Sequence, residues 1–423
     1  MRKQTLPGMI LAVFAINSFL SCQKNTEIIQ LEETPSAFNS TNSNESKQPK
    51  KIYVNNISEL YAAINDPENS GGTLVLAPGT YMLSANFPKA GRLELQHNMS
   101  LVGQPGHPEA VIIDATVLPL SSFTIAPSNA RTGAVRMGDG NNSIEWITFQ
   151  NDPAHTIRSL IQTDIVTTST TKIKVAHCII KGSSIGLSIL NRDPVANGRV
   201  LEAEIADNEI MDNTIQQFGS GIQIQNTLVN DAVLKVRLSR NHVHGNRAGM
   251  MIFNSSSQRC SLEVKSYDEN IENNGIGLVL VGSLILNAAN PSMDNTFIYE
   301  SHAASLKNNK GTPAPPFSFP SGGIFAPASL AMTQFGPPGT AHNNKLDITF
   351  HGSAIEDNIG NAQINAYGAY SYYALPPLNN STIVGLNNKT NVHLHGLSTN
   401  VTVTAVNSLP AEIAGTNTVN VYK

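Results

Sequence analysis

The sequence predicts an all-β fold: a right-handed parallel β-helix solenoid with a short capping helix at its N-terminal end. Three observations carry this. Apolar residues alternate over short runs broken by turn residues, the period of a half-buried strand, and only Ile57 to Asn65 reads at a helical period. The stretches 204–213, 237–246, 265–274 and 349–358 align with one another, each closing on an aliphatic residue, two variable positions and an Asn. A Gly and a second alternating run follow in most units, at 186–190, 221–225, 249–253 and 277–281, with a shorter run after Gly323. The unit is therefore strand, Asn-containing turn, strand and variable loop, recurring roughly every 28 to 33 residues, a solenoid spacing. A sandwich has no need of a constant unit; a solenoid does, because each rung stacks on a near copy and buries the same inward positions.

The closing pairs are Ile210 with Asn213, Val243 with Asn246, Ile271 with Asn274 and Ile355 with Asn358. Asn tolerates the left-handed backbone of a tight turn. Amides stacked about 4.8 Å apart can bond up and down a column. Asn213, Asn246, Asn274 and Asn358 are accordingly expected to form a structural ladder rather than a ligand site.

The start of the body runs from Lys51 through the helical stretch to Asn65, then to Gly71-Gly72 and the apolar strand that ends in Pro78-Gly79-Thr80-Tyr81, with Leu101-Val102-Gly103 and Val111 to Asp114 beyond. This opening resembles that of the pectin-lyase-like right-handed β-helix proteins. The resemblance implies that the helix caps one end of the solenoid, where an open end would expose core and unpaired strand edges. With the downstream rungs it covers residues 51–423. It implies a fold far more than a reaction, because the superfamily hosts lyases, hydrolases, esterases, epimerases and adhesins. Its best-known catalytic patterns are missing. Asn213-Thr214 is followed by Ile215 where polygalacturonases carry Asp, the nearest His-Gly is His244-Gly245, and no Asp-Phe-Ile-Phe-Gly esterase stretch or lyase-type Asp cluster with an Arg stands out. No cofactor is expected, and no metal site. Ca²⁺ enters only if the chain is a lyase.

The chain opens with a short basic start and an apolar run, Met9 to Ile16, too short to span a bilayer. Ser18 to Cys22 resembles a bacterial lipoprotein signal, with Ser21 at the small position before the Cys and Phe19 departing from the usual Leu. The expected organisation is a signal at 1–21, a polar tether at 22–50 lipidated on Cys22, and a β-helix domain at 51–423. That implies export and a lipid anchor in the membrane. Gln23, rather than Asp, follows the Cys, which favours the outer membrane.

Charged residues make up only 14% of the chain and the formal charge is −4, so there is no basic footprint for nucleic acid. Aligning the repeat places charges in outward columns: Lys172, Glu202, Lys235, Glu263; then Lys174, Glu204, Arg237, Lys265, Glu300; then His177, Asp207, Arg240, Asp268. Alternating signs suggest stacked ion pairs that fix register. One irregularity remains, because Arg237 and Lys265 are neighbours of like sign near Lys235, His242 and His244, a candidate site for a uronate or sulfate. The loop with Asp152, His155 and Arg158 and the Pro-rich stretches 310–320 and 334–339 break the rhythm where sites are often built. Cys178 and Cys260 read as two buried free thiols. The sequence thus predicts a cell-envelope lipoprotein presenting a β-helix face to a glycan or an envelope protein, with a polysaccharide lyase or hydrolase acting on an acidic glycan as the alternative.

Overall fold

A computed structural model describes residues 49–119, 122, 133–137, 140–152, 159–163, 170–192, 194–214, 219–285, 291–310, 322–332, 340–360, 362–372, 385–397, 401–409 and 416–423. Cys22 with the signal and tether, His155, Arg158 and the bulk of both Pro-rich stretches lie outside the described residues.

One rung shows how the chain is built. Val233–Ser239 is followed by a corner, by the three-residue strand His242–His244, by a second corner and by Ala248–Ser255, after which Ser261–Tyr267 begins the next rung. Equivalent strands stack in parallel, giving sheets of 12, 11 and 9 strands among the described residues. The chain is a right-handed parallel β-helix, as the repeat implies. The register joins Glu204, Arg237, Lys265, Glu300 and Thr349 in one column. It also inserts a rung, Thr296–His302 with Ser305–Lys307, between the units that the sequence aligned at 265 and 349.

Alternation along the 12-stranded sheet points Leu234, Val236 and Leu238 inward, with Leu262 and Val264 on the next strand and Phe297 and Tyr299 on the one after, all buried. Each such aliphatic or aromatic side chain gains about 1.5–3 kcal/mol on leaving water. The short strands add a single inward residue each, the column Ile180, Ile210, Val243, Ile271, Leu306 and Ile355. The strands of the 11-stranded sheet differ. Ser220–Thr227, Ala248–Ser255 and Ile276–Ile285 are buried at every position, so their alternation does not mark an inner and a solvent face. Gly249 lies so close to the next rung that a Cβ there would meet the Gly277 carbonyl oxygen at 2.6 Å.

Each corner turns on one residue in the left-handed region. Asp207, Arg240 and Asp268 occupy the first; Asp212, Gly245, Asn273, Asn308 and Asp357 the second; Asp231, Arg259, Asp294 and Asn343 the third. The ladder asparagines are therefore not the left-handed residues, contrary to the turn argument from sequence. They come one place later, where the chain has turned and the side chain points inward into the stack. Asn213 Nδ2 donates to Asn246 Oδ1 at 2.9 Å, Asn246 to Asn274 at 3.1 Å, Asn274 to Asn309 at 3.1 Å and Asn309 to Asn358 at 2.8 Å. Each of those oxygens also accepts the backbone N–H of the preceding Asn, as in Asn213 N to Asn246 Oδ1 at 3.0 Å. The third corner carries a similar column, Asn295, Asn344, Asn388 and Asn417. At the first corner Asn208 donates to Asn241, and Asn241 to the carboxyl of Glu269.

The helix α1 (Ile57–Asn65) covers the N-terminal end. Asn56 Oδ1 accepts from the Glu59 N–H at 3.0 Å while Glu59 reaches back to Asn56 Nδ2 at 2.6 Å, a reciprocal cap. Leu60, Tyr61, Ala63 and Ile64 are buried, and the Tyr61 hydroxyl donates to the Gly91 carbonyl at 2.6 Å.

Candidate functional site

On the solvent side of the 12-stranded sheet, the strands Thr170–Ala176, Val200–Ala206, Val233–Ser239 and Ser261–Tyr267 present Lys172, Glu202, Glu204, Lys235, Arg237, Glu263 and Lys265 to one shallow groove of about 420 Å³. The register stacks Lys172, Glu202, Lys235 and Glu263 in one column and Lys174, Glu204, Arg237 and Lys265 in the next. A full ladder of cross-strand ion pairs does not form. Lys172 pairs with Glu202 at 3.1 Å as stacking predicts. Lys174 instead reaches diagonally to Glu145 at 2.8 Å, and Lys265 turns along its own strand to Glu263 at 3.3 Å. The Glu263 bond raises the Lys265 ammonium above its ordinary pKa. Among the described residues no carboxylate stands within ion-pair distance of Lys235 or Arg237, although Glu202, Glu263 and Glu204 flank them in register. Arg237 packs on an aromatic ring, its guanidinium carbon 4.7 Å from the centroid of Tyr267. Side-chain length explains the departure: at strand spacing a long Lys or Arg reaches several acceptors, and no single direct neighbour wins.

The third charge column lies on the first corner and not on strands. Arg240 grips Asp207 through two bonds of 2.7 Å, which hold the carboxyl below its usual range, and His177 stacks on Trp146 at 3.9 Å.

The structure separates the remaining two candidates from the groove. His242 and His244 stand beyond the corner at Arg240, on the nine-stranded sheet. Their rings stack at 4.2 Å, His242 Nε2 lies 2.9 Å from Glu272 Oε1, and His244 Nε2 lies 3.3 Å from Glu209 Oε1. Glu209, His242 and His244 bring ligand-type atoms within 4.8 Å of one another. The 12-stranded sheet holds a second such group, Glu300, His302 and His351. It belongs to a stack in which Tyr267, His302, His351 and His395 succeed one another at 5.1, 4.6 and 5.1 Å. Burial, and then the neighbouring His302 and His395, lower the His351 pKa. The sequence reading missed both carboxylate–histidine groups. Each group draws on more than one rung, and the available signal was an i, i+2 pair in each, His242 with His244 and Glu300 with His302.

No protein-family model matches the sequence, and no curated protein matches it. Among solved structures, the chain is similar to the A-module of the Azotobacter vinelandii mannuronan C-5 epimerase AlgE4, at 14% identity over 87% of this chain and 96% of that one, with a TM-score of 0.37. It is also similar to an exopolygalacturonase from Thermotoga maritima, at 10% identity over 89% and 93% with a TM-score of 0.33. An alginate lyase from Paenibacillus matches at 14% identity over 88% and 99%, with a TM-score of 0.26.

Buried titratable groups stand apart from these surfaces, among them two thiols and a carboxyl. Cys178 and Cys260 are free thiols, each directly after a left-handed corner residue, and burial pushes them up to about 12 and about 11. Such thiols are poor nucleophiles. Glu269 is 1% exposed, takes an Asn's place in the first-corner ladder, and is pushed by burial up to about 8.

Proposed function

We propose that the solvent face of the 12-stranded sheet binds an acidic polysaccharide, with Lys235, Arg237 and Lys265 receiving its carboxylates. One observation carries the reading. In a groove of mixed charge, Arg237 is held by the face of Tyr267 rather than neutralised by an acid. A guanidinium seated on a ring keeps its bidentate donors directed outward for a planar carboxylate. Rungs follow one another at about 4.8 Å, so the four rungs of the groove span roughly 14 Å, enough for several sugar units in a row. Export and lipidation of Cys22 would set this face in the cell envelope, at the outer membrane.

The test is binding of polygalacturonate and alginate against a neutral glycan, over a salt series. The expected result is preference for the acidic chains, weakening as salt rises, and loss in Arg237→Gln/Lys265→Gln. Equal affinity for neutral glycans, or binding unchanged in the double variant, would overturn the reading. The same samples, incubated with and without Ca²⁺ and analysed for chain length, decide whether the face also cleaves. Glu204, in register beside Arg237 and without an ion pair among the described residues, is the acid such a reaction would use.

A further inference from the structure

We infer that Glu209, His242 and His244 form a binding site for a divalent transition metal of the zinc class, on a different sheet from the polysaccharide face. The two histidines are i and i+2 on the strand His242–His244, so period two sets both on its solvent side. Glu209 comes from the strand Glu209–Met211 on one flank and Glu272 from Asn270–Glu272 on the other.

The direction of the hydrogen bonds brings these side chains together across the strands. In register, Glu209 stands beside His242 and Glu272 beside His244. The contacts are made the other way, His244 to Glu209 at 3.3 Å and His242 to Glu272 at 2.9 Å. Both contacts thus run diagonally between neighbouring strands, and the ends of Glu209, His242 and His244 draw together. Glu209, His242 and His244 already lie with their donor atoms within 4.8 Å of one another, so a small rotation of these side chains brings all three onto one ion.

Two imidazoles and one carboxylate suit Zn²⁺ and its neighbours, with ligand bonds of about 2.0–2.2 Å and a fourth position left for water. The side chains are 25% to 42% exposed, so an ion can enter and that position faces solvent. Glu272 holds the His242 ring in place, as carboxylates commonly do for metal-bound histidines.

The experiment is a Co²⁺ titration of the full-length chain, made without a histidine tag, followed by visible absorption and by competition with Zn²⁺. The wild type is expected to bind Co²⁺ and to release it to Zn²⁺. His242→Asn/His244→Asn should lose one equivalent, and Glu209→Gln should lose the same one. Glu272→Gln should weaken it by about 10- to 100-fold. His302→Asn/His351→Asn, which alters the other histidine group, should retain it. Two equivalents in the wild type with one left in His242→Asn/His244→Asn also fits the assignment. Absence of Co²⁺ and Zn²⁺ binding in the wild type, or full binding in both His242→Asn/His244→Asn and Glu209→Gln, refutes it. Melting curves of the variants identify any that fail to fold, and the conservative Glu272→Gln then carries the comparison.

Discussion

Replacing Glu269 with Gln should flatten the dependence of stability on pH. Glu269 ends the ladder Asn208, Asn241, Glu269, where its Oε1 accepts from the backbone N–H and the Nδ2 of Asn241 at 3.2 and 3.0 Å. Its Oε2 is buried with no hydrogen-bond partner among the described residues. Burial, the dominant cause, raises the carboxyl from 4.5 to about 8; the Asn241 bonds oppose the rise, Asp268 adds to it, and Arg240 lowers it slightly. A carboxyl whose folded pKa lies above the unfolded value holds its proton more tightly when folded. Its contribution is therefore fully present below about pH 4.5 and is lost as pH climbs through about 8. At about 1.4 kcal/mol per pH unit, the native chain gives up roughly 3 kcal/mol by pH 7 and roughly 5 kcal/mol in all. Gln keeps an oxygen for Asn241 and cannot ionise. Denaturant unfolding of both proteins between pH 4 and pH 9 measures the effect. The Gln variant carries a constant offset from its own buried amide, so the informative quantity is the difference between the two curves. That difference should shift in favour of Gln by a few kcal/mol over this range. Parallel curves would refute the argument, because a carboxyl equally protonated in both states contributes no slope.

The remaining predictions rest on single contacts. Asn246→Ala should lower stability by about 1–3 kcal/mol in denaturant unfolding, since Asn213 and Asn274 both lose a buried partner, while polysaccharide affinity stays the same. Gly249→Ala should cost about 1–3 kcal/mol in the same assay, because its Cβ meets the backbone of the next rung at 2.6 Å, and backbone in a stacked sheet cannot give way as a side-chain tip can. Cys22→Ala should move the protein from the membrane fraction to the soluble envelope or the medium, or leave it unprocessed; membrane fractionation and processing identical to wild type would exclude a lipid anchor.

The architecture was legible because a solenoid writes its period into the chain. Ile210 with Asn213 and Val243 with Asn246 recur at the same offset because both positions of each pair point into the stack. The cap was legible because Ile57 to Asn65 reads at a helical period within an opening that resembles that of the β-helix proteins; the bonds between Asn56 and Glu59 that hold its first turn came only with the structure. Other features gave no such signal. The rung holding Glu300 entered the charge column, yet its closing pair, Leu306 with Asn309, was left out of the Asn ladder, since a longer loop sets it off from the next unit: Asn309 and Asn358 lie 49 positions apart. Left-handed corner residues vary in type from Asp to Arg to Gly, since conformation and not chemistry is common to them, so Asn took the credit that belongs to its predecessor. Burial on both faces of the 11-stranded sheet has no marker in Gly221 to Gln225, where Gln223 and Gln225 read as solvent-facing and are each 7% exposed.

Sites were harder to read than the fold for a reason intrinsic to stacking. On a globular surface a sequence motif gathers its own ligands; on a β-helix, neighbours along the axis are far apart in sequence, 28 to 49 positions between successive members of the Asn246 to Asn358 ladder. Composition of a site is then decided by register, which a local pattern does not contain. The sequence placed Arg237 beside Lys265 correctly once the repeat was aligned, and the strand pairing joins them. It went wrong at His242 and His244, grouped with those cations because they are near in sequence, although the corner at Arg240 turns them onto another sheet. The same corner gives them their carboxylates, since Glu209 and Glu272 occupy the two strands that flank them. Two surfaces of opposite character thus arise a few residues apart on one rung. One offers an arginine held by an aromatic ring, and the other gathers imidazoles between carboxylates. A single substitution at either surface should leave the other unaffected, because the buried ladder and core between them hold the register that both depend on.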